Sequence, residues 1–223
     1  MRVAALISGG KDSALALHRA LKAGHKVNFL VAMIPQREDS WMFHYPNIGL
    51  TDLFSEATGI PLVKAETSGI KEEELEDLKD LLSTLNVKGV VSGAIASQYQ
   101  EQHIERICQE LGLSSITPLW GEEPLKLLKE LVSLEFEAII TGVYAQGFDE
   151  SWLGRLIEMD TIDALLQLNR KHHISIIGEG GEYETLVLDA PFFKKRIELV
   201  ETEKIWQEES GWLHVKKATL KPK

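Results

Sequence analysis

Five continuous apolar runs in the first half of the chain limit its fold more than any other feature. They are VAALI (3–7), VNFLVAMI (27–34), PLVKAE (61–66), GVVSGAI (89–95) and SITPLW (115–120), and helical patterns at roughly 12–23, 50–58, 71–85 and 98–111 separate them. Strands that are apolar on both faces belong to a parallel sheet covered by helices on both sides. Each strand-to-strand connection is then a right-handed crossover through a helix. The expectation is an α/β fold built on an open parallel five-stranded sheet.

The rhythm changes after about Glu122. A helix (PLKLLKELVSL), a strand (EAIITGVY), a glycine-punctuated turn (QGFDESWLG) and a helix near 158–171 lead to HISIIGEGGEYETLVLDAP and two alternating strands, RIELVETEKIW and GWLHVKKATL. Helices followed by consecutive strands predict a smaller α+β domain with antiparallel pairing. The boundary is set at 1–122 for the first domain and 123–223 for the second. The segment PQREDSWMFHYPNIGL (35–50) has no periodicity and reads as a long functional loop, since its aromatics oppose disorder.

Charge and cysteine content exclude several classes. The net charge of -10 is spread along the chain, with no basic tail or half to serve as a nucleic-acid footprint. Only the stretch from Pro191 leans positive, through Lys194, Lys195, Arg196, Lys216 and Lys217, which suits a solvated face of terminal strands. The one cysteine, Cys108, rules out an intrachain disulfide and a thiolate-rich metal site, and its helical setting suits a buried face. The apolar runs are too short to span a membrane, and Met1 leads straight into a strand, so the expected location is cytoplasmic.

The segment ISGGKDSALALHRAL starts directly after the first apolar run. A strand, a glycine-rich turn and a helix N-terminus make an anion site, because the first N–H groups of a helix lack intrahelical partners and its dipole favours negative charge there. Gly9 and Gly10 permit close approach, Ser8 and Ser13 add hydroxyls, and Lys11 adds a cation. The G-x-x-x-x-G-K-[ST] pattern is absent, since Ala5 stands five positions before Gly10 and Asp12 follows the lysine. G-x-G-x-x-G is absent as well, so a dinucleotide site is unsupported.

The string SGGKDS resembles the pyrophosphate loop of the N-type ATP pyrophosphatases, whose fold is of the HUP class, a Rossmann-like adenine nucleotide alpha-hydrolase type. The resemblance implies that the loop grips the β- and γ-phosphates of ATP and that a nucleophile attacks the α-phosphate. It also implies Mg²⁺ on the pyrophosphate with Asp12 as a ligand, and adenine read by backbone around Ala32 and Met33.

Further strings narrow the likeness: WMFHYPN (41–47), VVSGAIASQYQ (90–100), LGLSSITPLWG (111–121), FDESWLGR (148–155) and GEGGEYETLVLDAPFF (178–193). Together they resemble the diphthine–ammonia ligase family, over almost the whole chain. The implied reaction amidates diphthine on elongation factor 2 with ATP and ammonium, giving diphthamide, AMP and pyrophosphate through an acyl-adenylate. Lys11, Asp12, Glu182 and Glu184 are then the catalytic candidates. Ser8, Gly9, Gly10, Lys11, Asp12, Ser13, Met33, Gly93 and Ser97 would bind ATP. His44, Tyr99, Gln100, Glu179, Gly180, Gly181, Tyr183 and Thr185 would bind the substrate.

Read by themselves, Glu179, Glu182 and Glu184 crowd one glycine-rich turn, and such a density of carboxylates calls for a cation: Mg²⁺, ammonium or the trimethylammonium of diphthine. The last wants aromatic partners, for which Tyr183, Trp152 and Trp41 are the candidates. A solvated acidic hairpin is the plain alternative. The chain departs from the family's pattern after Tyr99–Gln100, where basic residues are expected and Glu101 and His103 stand, with Arg106 as the nearest compensating cation. No glutaminase-like Cys/His pair is present, so the nitrogen source is free ammonium. The aromatics near 41–45 and the C-terminal strands are candidate surfaces for a homodimer. Two other readings stand beside the ligase: a tRNA-modifying ATP pyrophosphatase, disfavoured by the single cysteine and acidic charge, and an ATP-binding sensor without turnover.

Overall fold

The computed structural model describes residues 1–35, 48–68 and 71–223. Trp41, His44 and most of the loop expected over 35–50 therefore lie outside the described residues. The chain divides into two compact units, Met1–Trp120 and Gly121–Lys223.

The first unit alternates β1 (Arg2–Leu6), α1 (Lys11–Lys22), β2 (Lys26–Pro35), a 3-10 turn (Ile48–Leu50), α2 (Thr51–Thr58), β3 (Leu62–Thr67), α3 (Lys71–Ser83), β4 (Gly89–Val91), α4 (Gln98–Glu110) and β5 (Ser114–Ile116). The five strands form one sheet in the order β3-β2-β1-β4-β5, and every pairing is parallel. The expected α/β architecture is therefore present. One face of the sheet, carrying Ala4, Val31, Met33 and Val90, packs on Leu78 and Leu82 of α3 and on Ile104, Ile107 and Cys108 of α4. α1 packs on β1, β2 and β4, and α2 on β3. Full burial of each such aliphatic side chain contributes about 1.5–3 kcal/mol, so these layers anchor the sheet.

Two strands are shorter than their apolar runs. β4 ends at Val91 because the chain must turn at Gly93 to lie against α1, and β5 ends at Ile116 because Thr117–Trp120 closes a turn (Trp120 N–H to Thr117 O, 3.1 Å). Tertiary contact overrides apolar propensity at both ends.

The second unit contains α5 (Pro124–Ser133), β6 (Glu137–Val143), a 3-10 turn (Glu150–Trp152), α6 (Met159–His172), β7 (Tyr183–Asp189), β8 (Lys195–Gln207) and β9 (Ser210–Pro222). Its sheet runs β7-β6-β9-β8 with antiparallel pairing throughout, the α+β pattern expected. Several cations of the basic C-terminal stretch are ion-paired. Arg196 meets Glu137 at 2.6 Å, Lys216 meets Glu203 at 2.8 Å, Lys223 meets Asp189 at 2.7 Å, and Lys221 pairs with Glu198. Among the described residues no helix is long and apolar enough to cross a membrane.

Cys108 is 1% exposed, and burial, with Glu105 adding to it, pushes its thiol up to about 11. The nucleophilic form of a thiol is the thiolate, so this one is inert at neutral pH. Iodoacetamide at pH 8 should label Cys108 at least about tenfold faster in denaturant than in buffer. Equal rates would contradict the buried placement.

Candidate functional site

The first candidate site is the junction of β1 and α1. Gly9 has φ +87°, a left-handed conformation that favours glycine. Gly10 caps α1 with extended backbone and no side-chain cap bond is made there. The two serines brace the loop: Ser13 Oγ donates to Gly10 O (3.0 Å), Ser8 Oγ lies 3.3 Å from Ser13 Oγ, and Gly10 N–H donates to Ser8 Oγ (3.3 Å). Ser8 N–H also reaches Ser13 Oγ at 3.4 Å. The hydroxyls shape the turn in addition to any contact with phosphate. The Lys11 side chain is 3% exposed and its Nζ meets Asp12 Oδ2 at 2.9 Å, while Asp12 is 32% exposed. A buried ammonium at the positive end of a helix makes a strong field for anions.

Gly93 completes this junction without a side chain. A Cβ there would stand 2.8 Å from Ser13 N and 2.9 Å from Asp12 C, so only glycine lets the end of β4 press on the first turn of α1. Its role is close approach of backbone.

The Met33 side chain is 2% exposed in the core, which leaves only its backbone available to a ligand. Ile7 N–H donates to Val31 O on the β1 side of β2, and Leu30 N–H donates to Pro61 O on the β3 side. Alternation along a parallel strand then turns the Met33 N–H and C=O to the β1 side. β1 ends at Leu6, opposite Val31, so the Met33 amide pair lies past the end of its neighbour. Ala32 faces β3. Of the two residues, Met33 presents the donor–acceptor pair that a planar heterocycle requires.

α4 begins at Ser97, whose Oγ accepts from Gln100 N–H (3.4 Å). The Tyr99 ring meets His103 edge-on at 4.2 Å. Both line a cavity of about 360 Å³ between α3 and α4 with Lys79, Arg106 and Glu110, and no residue of the β1–α1 loop lines it. Arg106 is bonded to Glu110 (2.9 Å), which also takes Lys79 at 2.6 Å. Those two bonds, Lys79 first, hold the Glu110 carboxyl below its usual range. Arg106 thus takes part in a surface ion-pair network with Glu110 and Lys79.

The second candidate site is the turn before β7. Glu182 Oε1 accepts from Ser175 N–H and Oε2 from Gly180 N–H, both at 2.9 Å. Glu182 O accepts from Tyr144 N–H, also at 2.9 Å. The crowding of carboxylates is therefore relieved at Glu182 by backbone amides, and among the described residues no group of three or more His, Cys, Asp or Glu side chains could hold a metal. Of the three cations the sequence allowed at this turn, a metal held by three such side chains is therefore not what the described residues offer. Gly178 and Gly181 have φ +76° and +82°. Gly180 and Gly181 are exposed and Glu179, Glu184 and Thr185 are half-buried.

The aromatic candidates also change. Tyr183 is 2% exposed, donates from its hydroxyl to Ile176 O (2.8 Å) and packs toward Phe148. Trp152 is 6% exposed, meets Phe148 edge-on and takes the Arg155 guanidinium 4.9 Å from its ring centroid. Both belong to the core of this unit. Two participants escaped the sequence. Ser175 acts only through its amide, which no side-chain pattern reveals. Tyr144 is 42% exposed at the end of β6, where a terminal strand aromatic is the one available signal.

An open parallel sheet with a glycine-bent loop at an uncapped helix N-terminus defines a phosphate-binding α/β protein. The chain belongs to the diphthamide synthase family, whose N-terminal domain matches residues 1–115 and whose C-terminal domain matches residues 123–220. Proteins named diphthine–ammonia ligase are among its relatives. The mouse protein (Mus musculus) is 36% identical over 92% of this chain and 85% of its own length, and the human protein (Homo sapiens) is 36% identical over 88% and 82%. The fission yeast protein (Schizosaccharomyces pombe) is 36% identical over the whole chain, which spans 40% of that larger protein. Among solved structures, a predicted subunit of a tRNA methyltransferase from Methanocaldococcus jannaschii aligns with 86% of this chain and 98% of its own, at a TM-score of 0.46 and 17% identity.

The Gly93→Ala variant should remain folded by circular dichroism yet bind ATP at least about tenfold more weakly by calorimetry, since displacing the first turn of α1 moves its amides off the phosphates. Wild-type affinity would contradict the assignment of that contact.

Proposed function

We propose that the chain is an AMP-forming ligase that amidates diphthine on elongation factor 2 with ATP and ammonium. Membership in the diphthamide synthase family, joined to a phosphate loop that lacks the γ-transfer pattern, carries this reading. The β1–α1 loop binds the β- and γ-phosphates of ATP through the helix N-terminus and Lys11. The backbone of Met33 reads adenine, and Gly93 keeps the end of β4 against the loop. Ser97 supports this site by holding the start of α4.

The diphthine carboxylate attacks the α-phosphate, pyrophosphate leaves, and the product is an acyl-adenylate. Ammonia then attacks the acyl carbon, AMP leaves with the C–O electron pair, and the surplus proton passes to solvent. Removing the leaving pyrophosphate's negative charge from water needs fixed positive charge, which Lys11 and the α1 dipole supply without reorganisation. Mg²⁺ bound to nucleotide is held mainly by phosphates and water with one or two carboxylates. Asp12, one third exposed beside the loop, fits that mode, and Mg²⁺ there would offset charge on the phosphates. In the second unit, the Glu182 clasp makes this residue a positioning group, while Glu184, Glu179, Thr185 and the exposed glycines form the face offered to diphthine. A cytoplasmic location follows from a substrate that is a translation factor.

The test is product analysis with purified chain, ATP, ammonium and diphthine-bearing elongation factor. AMP and pyrophosphate should appear in step with diphthamide, and Lys11→Ala should lower kcat/KM by at least about a hundredfold with the fold intact. ADP as product, AMP release driven by tRNA, or ATP binding with no turnover would each overturn it.

A further inference from the structure

Diphthine presents a trimethylammonium group, which has no N–H and cannot be recognised by hydrogen bonds to nitrogen. Recognition needs an aromatic face, with a carboxylate nearby to balance the charge. Of the residues expected to supply that face, Tyr183 and Trp152 are core residues and Trp41 lies outside the described residues. An exposed aromatic stands at the end of β6, Tyr144.

Gly142 of β6 stands directly opposite Glu184 of β7, and the next pair is Val143 with Tyr183. Val143 and Tyr183 are 0% and 2% exposed, so that pair faces the core. Gly142 and Glu184 therefore face the other side, and so does Tyr144, two residues after Gly142. Gly142 leaves its side-chain position empty and the Tyr144 ring fills it: a Cβ on Gly142 would lie 2.6 Å from Tyr144 Oη and 2.9 Å from Cε2. Side chains directly opposite across an antiparallel pair have their Cβ atoms only about 4.5–5.5 Å apart. The ring thus lies in the slot beside Glu184. The Tyr144 amide, bonded to Glu182 O, fixes this arrangement to the glycine turn.

We propose that Tyr144 and Glu184 form the recognition site for the trimethylammonium of diphthine, the ring supplying the cation–π face and the glutamate the countercharge. The proposal rests on the amidation reading above, and it adds a specificity-determining residue that the motif GEGGEYET does not contain. Gly142 belongs to the site because any side chain there would displace the ring.

The experiment compares Tyr144→Phe, Tyr144→Ala and wild type, all checked for fold by circular dichroism. With diphthine-bearing elongation factor, Tyr144→Ala should raise the KM for the factor about tenfold and leave the KM for ATP within about twofold, while Tyr144→Phe, which keeps the ring face, stays near wild type. Tetramethylammonium chloride should inhibit wild type and Tyr144→Phe competitively against the factor, and should shift the Tyr144 ring resonances in NMR titration. An unchanged KM in Tyr144→Ala, or loss in Tyr144→Phe equal to that in Tyr144→Ala, overturns the proposal. If wild type shows no amidation but tetramethylammonium still shifts the Tyr144 ring, the site stands and the amidation reading falls.

Discussion

The arrangement of the first unit turns on one close approach, the contact of the Gly93 backbone with the first turn of α1 at a spacing no side chain permits. It ties the carboxyl end of β4 to the amides at the helix start, beside the ammonium of Lys11. The loop serines add bonds within the turn, and Gly9 supplies the left-handed bend. These features hold several positive partial charges in a fixed array before any ligand arrives. Fixed donors stabilise developing negative charge without the cost of reorienting water.

The second unit solves the same kind of problem with the opposite sign. Three glutamates within six residues would repel, and the chain settles one of them by directing two backbone N–H groups at Glu182. That bonding shapes the turn that leads into β7. The core is kept by Tyr183, Phe148 and Trp152, while the exposed Tyr144 lies on the other face of the sheet.

Much of the fold was legible in the sequence because continuous apolar strands and 3.6-residue helices leave few alternatives. The shortening of β4 and β5 was not legible, since Gly93 and the Thr117–Trp120 turn respond to contacts distant in sequence. At the phosphate loop the residue types pointed to the chemistry, but the bracing role of Ser8 and Ser13 depends on geometry. The outward tyrosine was hidden for a specific reason. The register of β6 against β7 shifts between Ile140 and Gly142, so counting alternate residues from the buried part of the strand does not tell which face Tyr144 takes. The amide partners of Glu182 carry no side-chain signature at all.

The account stands on attack at the α-phosphate by the carboxylate of diphthine. The most direct test is oxygen transfer: diphthine labelled with ¹⁸O in that carboxylate is amidated to completion and the products are weighed by mass spectrometry. The account predicts one ¹⁸O in the phosphate of AMP and none in pyrophosphate. Label in inorganic phosphate, with ADP as the nucleotide product, would contradict it.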